Sequence, residues 1–290
     1  MKFFKLLFAS ASTLLFASVV NADSITVVSW GGAYTKSQVE AYHKPWSQKT
    51  GHQVVSEDYS GGLAEVKAQV ESGNVTWDVV DVELSDALQG CDEGILEEID
   101  HSTLPAAPDG TPAAQDFLPG ALQDCAVGNI VWTTLYAYDK TKFDTPPTTM
   151  ADFFDIEKFP GKRGMRKLGK AMLEMALMGD GVPAEEVYDL LGTEEGVKRA
   201  FAKLDTIKDH VVWWEAGAQP PQLLADGEVS MTIIWNGRIF NAIAQEKQPF
   251  GLVWDGQIYD LDLFVIPKGS KNKEAALDFI CFSTDTKRLA

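Results

Sequence analysis

The sequence predicts an α/β protein built as two α/β lobes joined by hinge crossovers. Three observations carry this reading. Short β-branched runs alternate with amphipathic helical stretches from residue 24 onward, the pattern of a mostly parallel sheet layered with helices. The chain, at 290 residues, exceeds what one small core usually holds. The alternation also occurs twice: the chain leaves the first unit, builds a second, and crosses back near Tyr259.

The elements follow in order. Residues 24–30 (SITVVSW) form a strand closed by Gly31 and Gly32, and residues 34–50 an amphipathic helix with Pro45 inside it. Strands are expected at 53–58 and 77–82 (WDVVDV), with a helix over 63–73 between them. A helix over 85–94 leads to a strand at 95–99, and a Pro- and Ala-rich loop spans 104–120. One long strand covers 130–138 (IVWTTLYAY). The second unit has helices at 170–178, 184–191, 194–208, 220–226 and 238–245, and strands at 211–215, 229–235 and 252–254. A last strand at 261–266 (LDLFVI) returns to the first unit, and a helix starts at Lys273. The expected boundaries are 23–139 plus 259–290 for the first lobe and 140–258 for the second.

Lys2 and Lys5, an apolar run from Leu6 to Val20, and the short residues Val20, Asn21 and Ala22 read as a secretory signal peptide over residues 1–22. The run is shorter than a membrane-spanning helix needs, so a freely diffusing periplasmic protein is expected. A net charge of −17 repels nucleic acid and anionic lipid and attracts cations. In an oxidising compartment Cys91 and Cys125 are the expected disulfide, on compartment and parity; any of three pairs is formally possible. Cys281, in an apolar helical stretch, is expected to be a buried free thiol.

Five segments carry a resemblance: Val28-Ser29-Trp30-Gly31-Gly32, Trp77-Asp78-Val79-Val80, the run from Asp226 to Val229 followed by Ile234-Trp235-Asn236-Gly237, Asp262 to Pro267, and Lys271-Asn272-Lys273. In that order and spacing the chain resembles the polyamine branch of the bacterial extracellular solute-binding proteins, the group containing spermidine/putrescine-binding proteins. The resemblance implies a type II periplasmic-binding-protein fold that shuts on a small amine-containing solute, and a membrane permease of an ABC transporter as partner. It implies no catalysis, no cofactor and a monomer. Relatives continue for several segments past Ala290, so part of the second lobe is expected to lie outside this chain.

The candidate ligand residues stand at strand ends, where open α/β sheets bind ligands. Trp30 and Trp235 are expected to be aromatic walls for an ammonium or alkyl chain. Gly31 and Gly32 let backbone approach the ligand or open a helix. Glu83 follows a strand and offers a carboxylate to an amine, with Asp81 behind it. Asn236 and Arg238 stand at a helix start. Tyr259, Asp260 and Asp262 lie at the return crossover, and the resemblance makes Asp262 the grip on the amine. Gly164 to Ala171, matching the start of the second lobe's first helix, departs from the polyamine pattern. It is basic, with Arg166, Lys167 and Lys170 where relatives carry acids. Arg166 there suits a carboxylate, so the expected ligand is either a polyamine or an amino or ω-amino acid such as γ-aminobutyrate.

Other classes fit poorly. The sequence lacks GxSxG, HExxH and P-loop motifs, and its four histidines are scattered, which argues against a secreted enzyme. A ferric-iron receptor on this fold would use adjacent tyrosines, and no Tyr-Tyr pair occurs. No Cys/His spacing points to zinc.

Overall fold

The computed structural model describes residues 24–289; the signal peptide expected over 1–22 lies outside the described residues. The sheet has nine strands: β1 (Ser24–Ser29), β2 (Gln53–Asp58), β3 (Val79–Glu83), β4 (Leu122–Gln123), β5 (Ala126–Asp139), β6 (Arg163–Arg166), β7 (Val211–Trp214), β8 (Met231–Trp235) and β9 (Phe250–Val265). Their order is β2-β1-β3-β9-β5-β8-β6-β7, with β4 paired to β5. β1 runs parallel to β2 and β3, and β6 parallel to β7 and β8. Each parallel set forms one lobe, as the alternation in the sequence predicts.

The two long strands join the lobes. β5 and β9 are antiparallel partners from Ala126↔Val265 to Asp139↔Phe250. The two strands expected at 252–254 and 261–266 are therefore one. Between Thr134↔Ile258 and Tyr136↔Val253 the register slips, so that β9 carries extra residues over 254–257. Gly256 makes this bulge possible: its φ is +67°, and a Cβ there would lie 2.9 Å from the Cβ of Met150.

Helices cover both faces, which is why the strands read as apolar runs rather than alternating ones. In the first lobe Val28, Val80, Val82 and Leu263 pack on one face with Leu63, Val66 and Trp77. Ile25, Val27, Val79 and Phe264 pack on the other with Trp46, Phe279 and Ile280. In the second lobe Tyr136, Met231 and Ile233 meet Phe153, Met175 and Ala176, while Leu135 and Ile234 meet Leu224 and Ile239. Residues 135–138, which the sequence boundary at 139 gives to the first lobe, thus pack in the second.

Three local expectations are corrected. The strand expected at 95–99 is a single bridge, Leu96↔Pro267: Glu97 N–H donates to the Ile266 carbonyl and Lys268 N–H to that of Ile95, but Ile99 N–H turns away to the Asp124 carbonyl, so the ladder stops there. The helix over 34–50 is two α-helices, Gly32–Gln38 and Lys44–Thr50, around a π-helical turn at Val39–His43. The π turn lets Pro45, which has no N–H to donate, enter at the start of the second helix. Arg166 ends strand β6 rather than opening a helix; the helix begins at Met172, after Ala171 in a left-handed conformation (φ 64°).

Cys91 and Cys125 form a disulfide across a separation of 34 residues, tying helix Leu84–Asp92 to the start of β5. Cys281 is free but half-buried rather than fully buried, its thiol 3.6 Å from the Thr103 carbonyl. Closing a loop of this length restricts the unfolded chain by about 3–4 kcal/mol on the chain-entropy model. Denaturant titration of the Cys91→Ser/Cys125→Ser protein is expected to show a loss of that order, with ligand affinity changed little.

Candidate ligand-binding cleft

The register between β3, β9 and β5 builds the acidic side of the cleft. Glu83 pairs directly with Asp262, and Asp81 lies two residues back on the same face of β3. Asp260 and its cross-strand partner Trp132 share that face with Asp262. Like charges directly across a strand pair repel, and here the carboxylates are also buried: Asp81 is 0% exposed, Glu83 2% and Asp262 5%.

Each carboxylate meets this differently. Glu83 accepts from Arg166 Nη1 at 2.8 Å and from Lys170, both from the second lobe. Burial pulls its carboxyl upward, but the two cations outweigh burial and hold it below the ordinary glutamate value. Asp81 has no cation: burial pushes it up to about 6, against the pull of the groups around it, including Gln38, whose amide donates at 2.6 Å. Asp262 has one donor, Trp132 Nε1 at 2.8 Å, and burial together with the charges of Asp81 and Glu83 drives it well above the usual carboxylate range.

Aromatic rings face these acids. Trp235, at the end of β8, stands with three indoles around it in edge-on contact: Trp30 at 5.8 Å, Trp132 at 5.7 Å and Trp214 at 5.6 Å. Tyr59 tilts against Trp30 at 5.2 Å. The Arg166 guanidinium lies 5.1 Å from the Trp235 ring centre and 5.7 Å from that of Trp30. Arg238, from the first turn of helix Asn236–Ala244, donates across the cleft to the carbonyls of Trp30 (2.7 Å) and Gly31 (2.6 Å).

A cavity of about 300 Å³ lies between the lobes. Of the residues selected from sequence, Trp30, Glu83, Trp235, Asn236, Arg238 and Asp262 line it. Arg166 backs it through Glu83 and the two indoles. Gly31 and Gly32 serve Arg238: one offers its carbonyl, and a Cβ on the other would lie 2.6 Å from the guanidinium. Tyr259, 76% exposed, and Asp260, which faces Lys170 at 3.9 Å, do not line it. Tyr259 lies on the opposite face of β9 from Asp262, and Asp260 lies on the same face, two residues before it. Sequence reasoning missed Trp132, Tyr34 and the interlobe role of Lys170. Trp132 was legible in principle, since a strand antiparallel to 261–266 would bring it diagonal to Asp262.

The chain matches the family described as bacterial extracellular solute-binding protein over residues 38–290. It belongs to that family. Among relatives of this solute-binding protein is a gamma-aminobutyric acid-binding protein of Pseudomonas aeruginosa, 47% identical over 93% of this chain and 75% of its own. The PBP MotA from A. tumefaciens B6, solved in complex with glucopine, is 36% identical with a TM-score of 0.83, over 92% of this chain and 80% of its own. A solved GABA receptor is 35% identical with a TM-score of 0.77, over 92% and 79%. These likenesses and the strand order give the solute-binding protein a type II periplasmic-binding-protein fold.

Raised carboxyls make the acidic face a cost of folding at neutral pH. Folded-state values above the unfolded ones mean that the folded protein binds more protons, so stability is gained as pH falls, for Asp81 through about 6, with Asp262 acting in the same direction. Asp262→Asn keeps the acceptor for Trp132 and removes the charge. Thermal melts at pH 7 are expected to show this variant more stable than wild type by a few degrees, the difference shrinking as pH falls.

Proposed function

We propose that the protein is a periplasmic receptor of an ABC importer that captures an ω-amino acid, of which γ-aminobutyrate is the type, by closure of the two lobes. One observation carries the ligand class: the cleft already contains an ion pair, Glu83 from the first lobe with Arg166 from the second, beside a further buried carboxylate, Asp262. A ligand bearing one ammonium and one carboxylate satisfies this arrangement. Its ammonium enters between Asp262 and Glu83, with the faces of Trp30, Trp132 and Trp235 around its alkyl chain. Its carboxylate takes Arg166, which Glu83 then shares or releases. Buried charges are tolerated only when paired, so both ends of the ligand are needed.

A polyamine fits less well. Its second ammonium would approach Arg166, Lys170 and Arg238, three cations at the second-lobe side of the cleft. The relatives named for γ-aminobutyrate, 47% and 35% identical, support the amino acid as well. The family and the fold support export to the periplasm and delivery to a membrane permease.

Calorimetry against γ-aminobutyrate, putrescine and spermidine tests the reading. Binding of γ-aminobutyrate is expected, with the diamine and triamine far weaker. Removing one partner of a buried charge pair costs roughly 2–5 kcal/mol, so Asp262→Ala and Arg166→Met are each expected to weaken γ-aminobutyrate binding by about 30-fold or more. Spermidine binding tighter than γ-aminobutyrate, or full affinity in Asp262→Ala, would sink the proposal. Asp262 must be ionised to hold the ammonium, and its carboxyl is held well above the usual carboxylate range, so affinity is expected to fall as pH drops.

A further inference from the structure

We infer that Gly217, outside the cavity wall, sets the length of ligand the cleft accepts by fixing where the Trp235 ring stands. The inference rests on the ω-amino-acid reading above and names the residue that selects among such acids. Gly217 is buried in the turn between β7 and helix Gln219–Ala225. A Cβ placed on it would lie 2.1 Å from Cζ3 of Trp235, 2.7 Å from Cε3 and 3.1 Å from Cη2. Carbon atoms pack at about 3.5–4.0 Å, so a single methyl at this position requires a movement of more than about 1 Å. Its backbone lies outside the left-handed region that favours glycine, so alanine brings no strain of its own and the substitution is one of space alone.

The ring has to move, because the turn is held. The side-chain carbonyl of Gln219 accepts from the backbone N–H of both Glu215 and Ala216 at 2.8 Å, and Lys167 N–H donates to the Trp214 carbonyl just before them. Trp214, 1% exposed, blocks retreat of the Trp235 ring into the second lobe. The free volume open to the ring is the cavity of about 300 Å³ that it lines. A ring displaced into that volume shortens the space between the indole wall and Asp262, and long ligands lose contact before short ones.

The test is calorimetry on wild type, Gly217→Ala, Trp235→Phe and the double variant, with β-alanine, γ-aminobutyrate and 5-aminopentanoate. One methylene in a closed pocket is worth about 10-fold or more. Gly217→Ala is therefore expected to shift the ratio of affinities towards the shorter acid by about that factor for each added methylene. Phenylalanine lacks the benzo ring that carries Cζ3 and Cη2, so Trp235→Phe in the Gly217→Ala background is expected to restore the ratio to that of Trp235→Phe alone. A crystal structure of Gly217→Ala is expected to show the Trp235 ring displaced into the cavity. An equal loss for all three acids, an unrestored double variant, or a ring left in place would overturn the inference. Should wild type bind diamines and no ω-amino acid, the ligand reading fails. The same comparison with 1,3-diaminopropane, putrescine and cadaverine then decides the role of Gly217.

Discussion

The structure turns on one electrostatic problem: Asp81, Glu83 and Asp262 are buried on one face of two adjacent strands. Among the described residues of the first lobe, no lysine or arginine pairs with them. The positive charge facing Glu83 comes from Arg166 and Lys170 across the cleft. The first lobe is thus electrostatically incomplete, and contact with the second lobe supplies part of what it lacks. Closing the cleft and pairing the acids are the same event. Asp81 and Asp262 are left over, and a cationic group between the lobes is what they lack.

That requirement constrains the hinge. Both lobes must bring charged groups to within hydrogen-bond distance while each keeps its own core. β5 and β9 meet this by running through both lobes as a continuous antiparallel pair, with packing that changes partner past Thr134. The slip in register at Thr134/Tyr136 and the Gly256 bulge sit on the second-lobe side of this change. Ladder hydrogen bonds are interrupted there, so bending at this point disturbs fewer of them than bending elsewhere in the pair.

Much of the fold was legible in the sequence because apolar runs of 4–8 residues between glycines leave few alternatives to buried strands. Glu83, Trp235 and Asp262 were legible as candidates for the same reason: each stands where a strand meets the cleft. What escaped has identifiable causes. The 250–265 strand read as two pieces because the bulge residues Asp255 and Gly256 break the apolar pattern. Arg166 read as helical because β6 is only four residues long and Gly164 weakens its strand signal. Lys170 looks like any surface lysine until Ala171, in a left-handed conformation no sequence rule assigns to alanine, turns the loop so that it reaches Glu83 and Ser85. Tyr259 was drawn in by proximity to Asp262, but a strand places side chains an odd number of residues apart on opposite faces; Asp260 shares the face of Asp262 and turns to Lys170 instead.

The charge arrangement also explains why the proposed ligand is an amino acid although the resemblance is to a group that contains polyamine binders. A site for a diamine must present anions at both ends and aromatic faces between. This cleft has carboxylates on the first-lobe side and indoles between, but its second-lobe side carries the cations Arg166, Lys170 and Arg238. Three cations at that end are more than one carboxylate needs, and all three have partners in the first lobe: Arg166 on Glu83, Lys170 on Glu83 and Ser85, and Arg238 on the carbonyls of Trp30 and Gly31. Arg166 alone combines a position against the indoles with a partner, Glu83, that an incoming ammonium can occupy in its place. In the proposed binding mode Arg166 reads the carboxylate while Lys170 and Arg238 hold the lobes together.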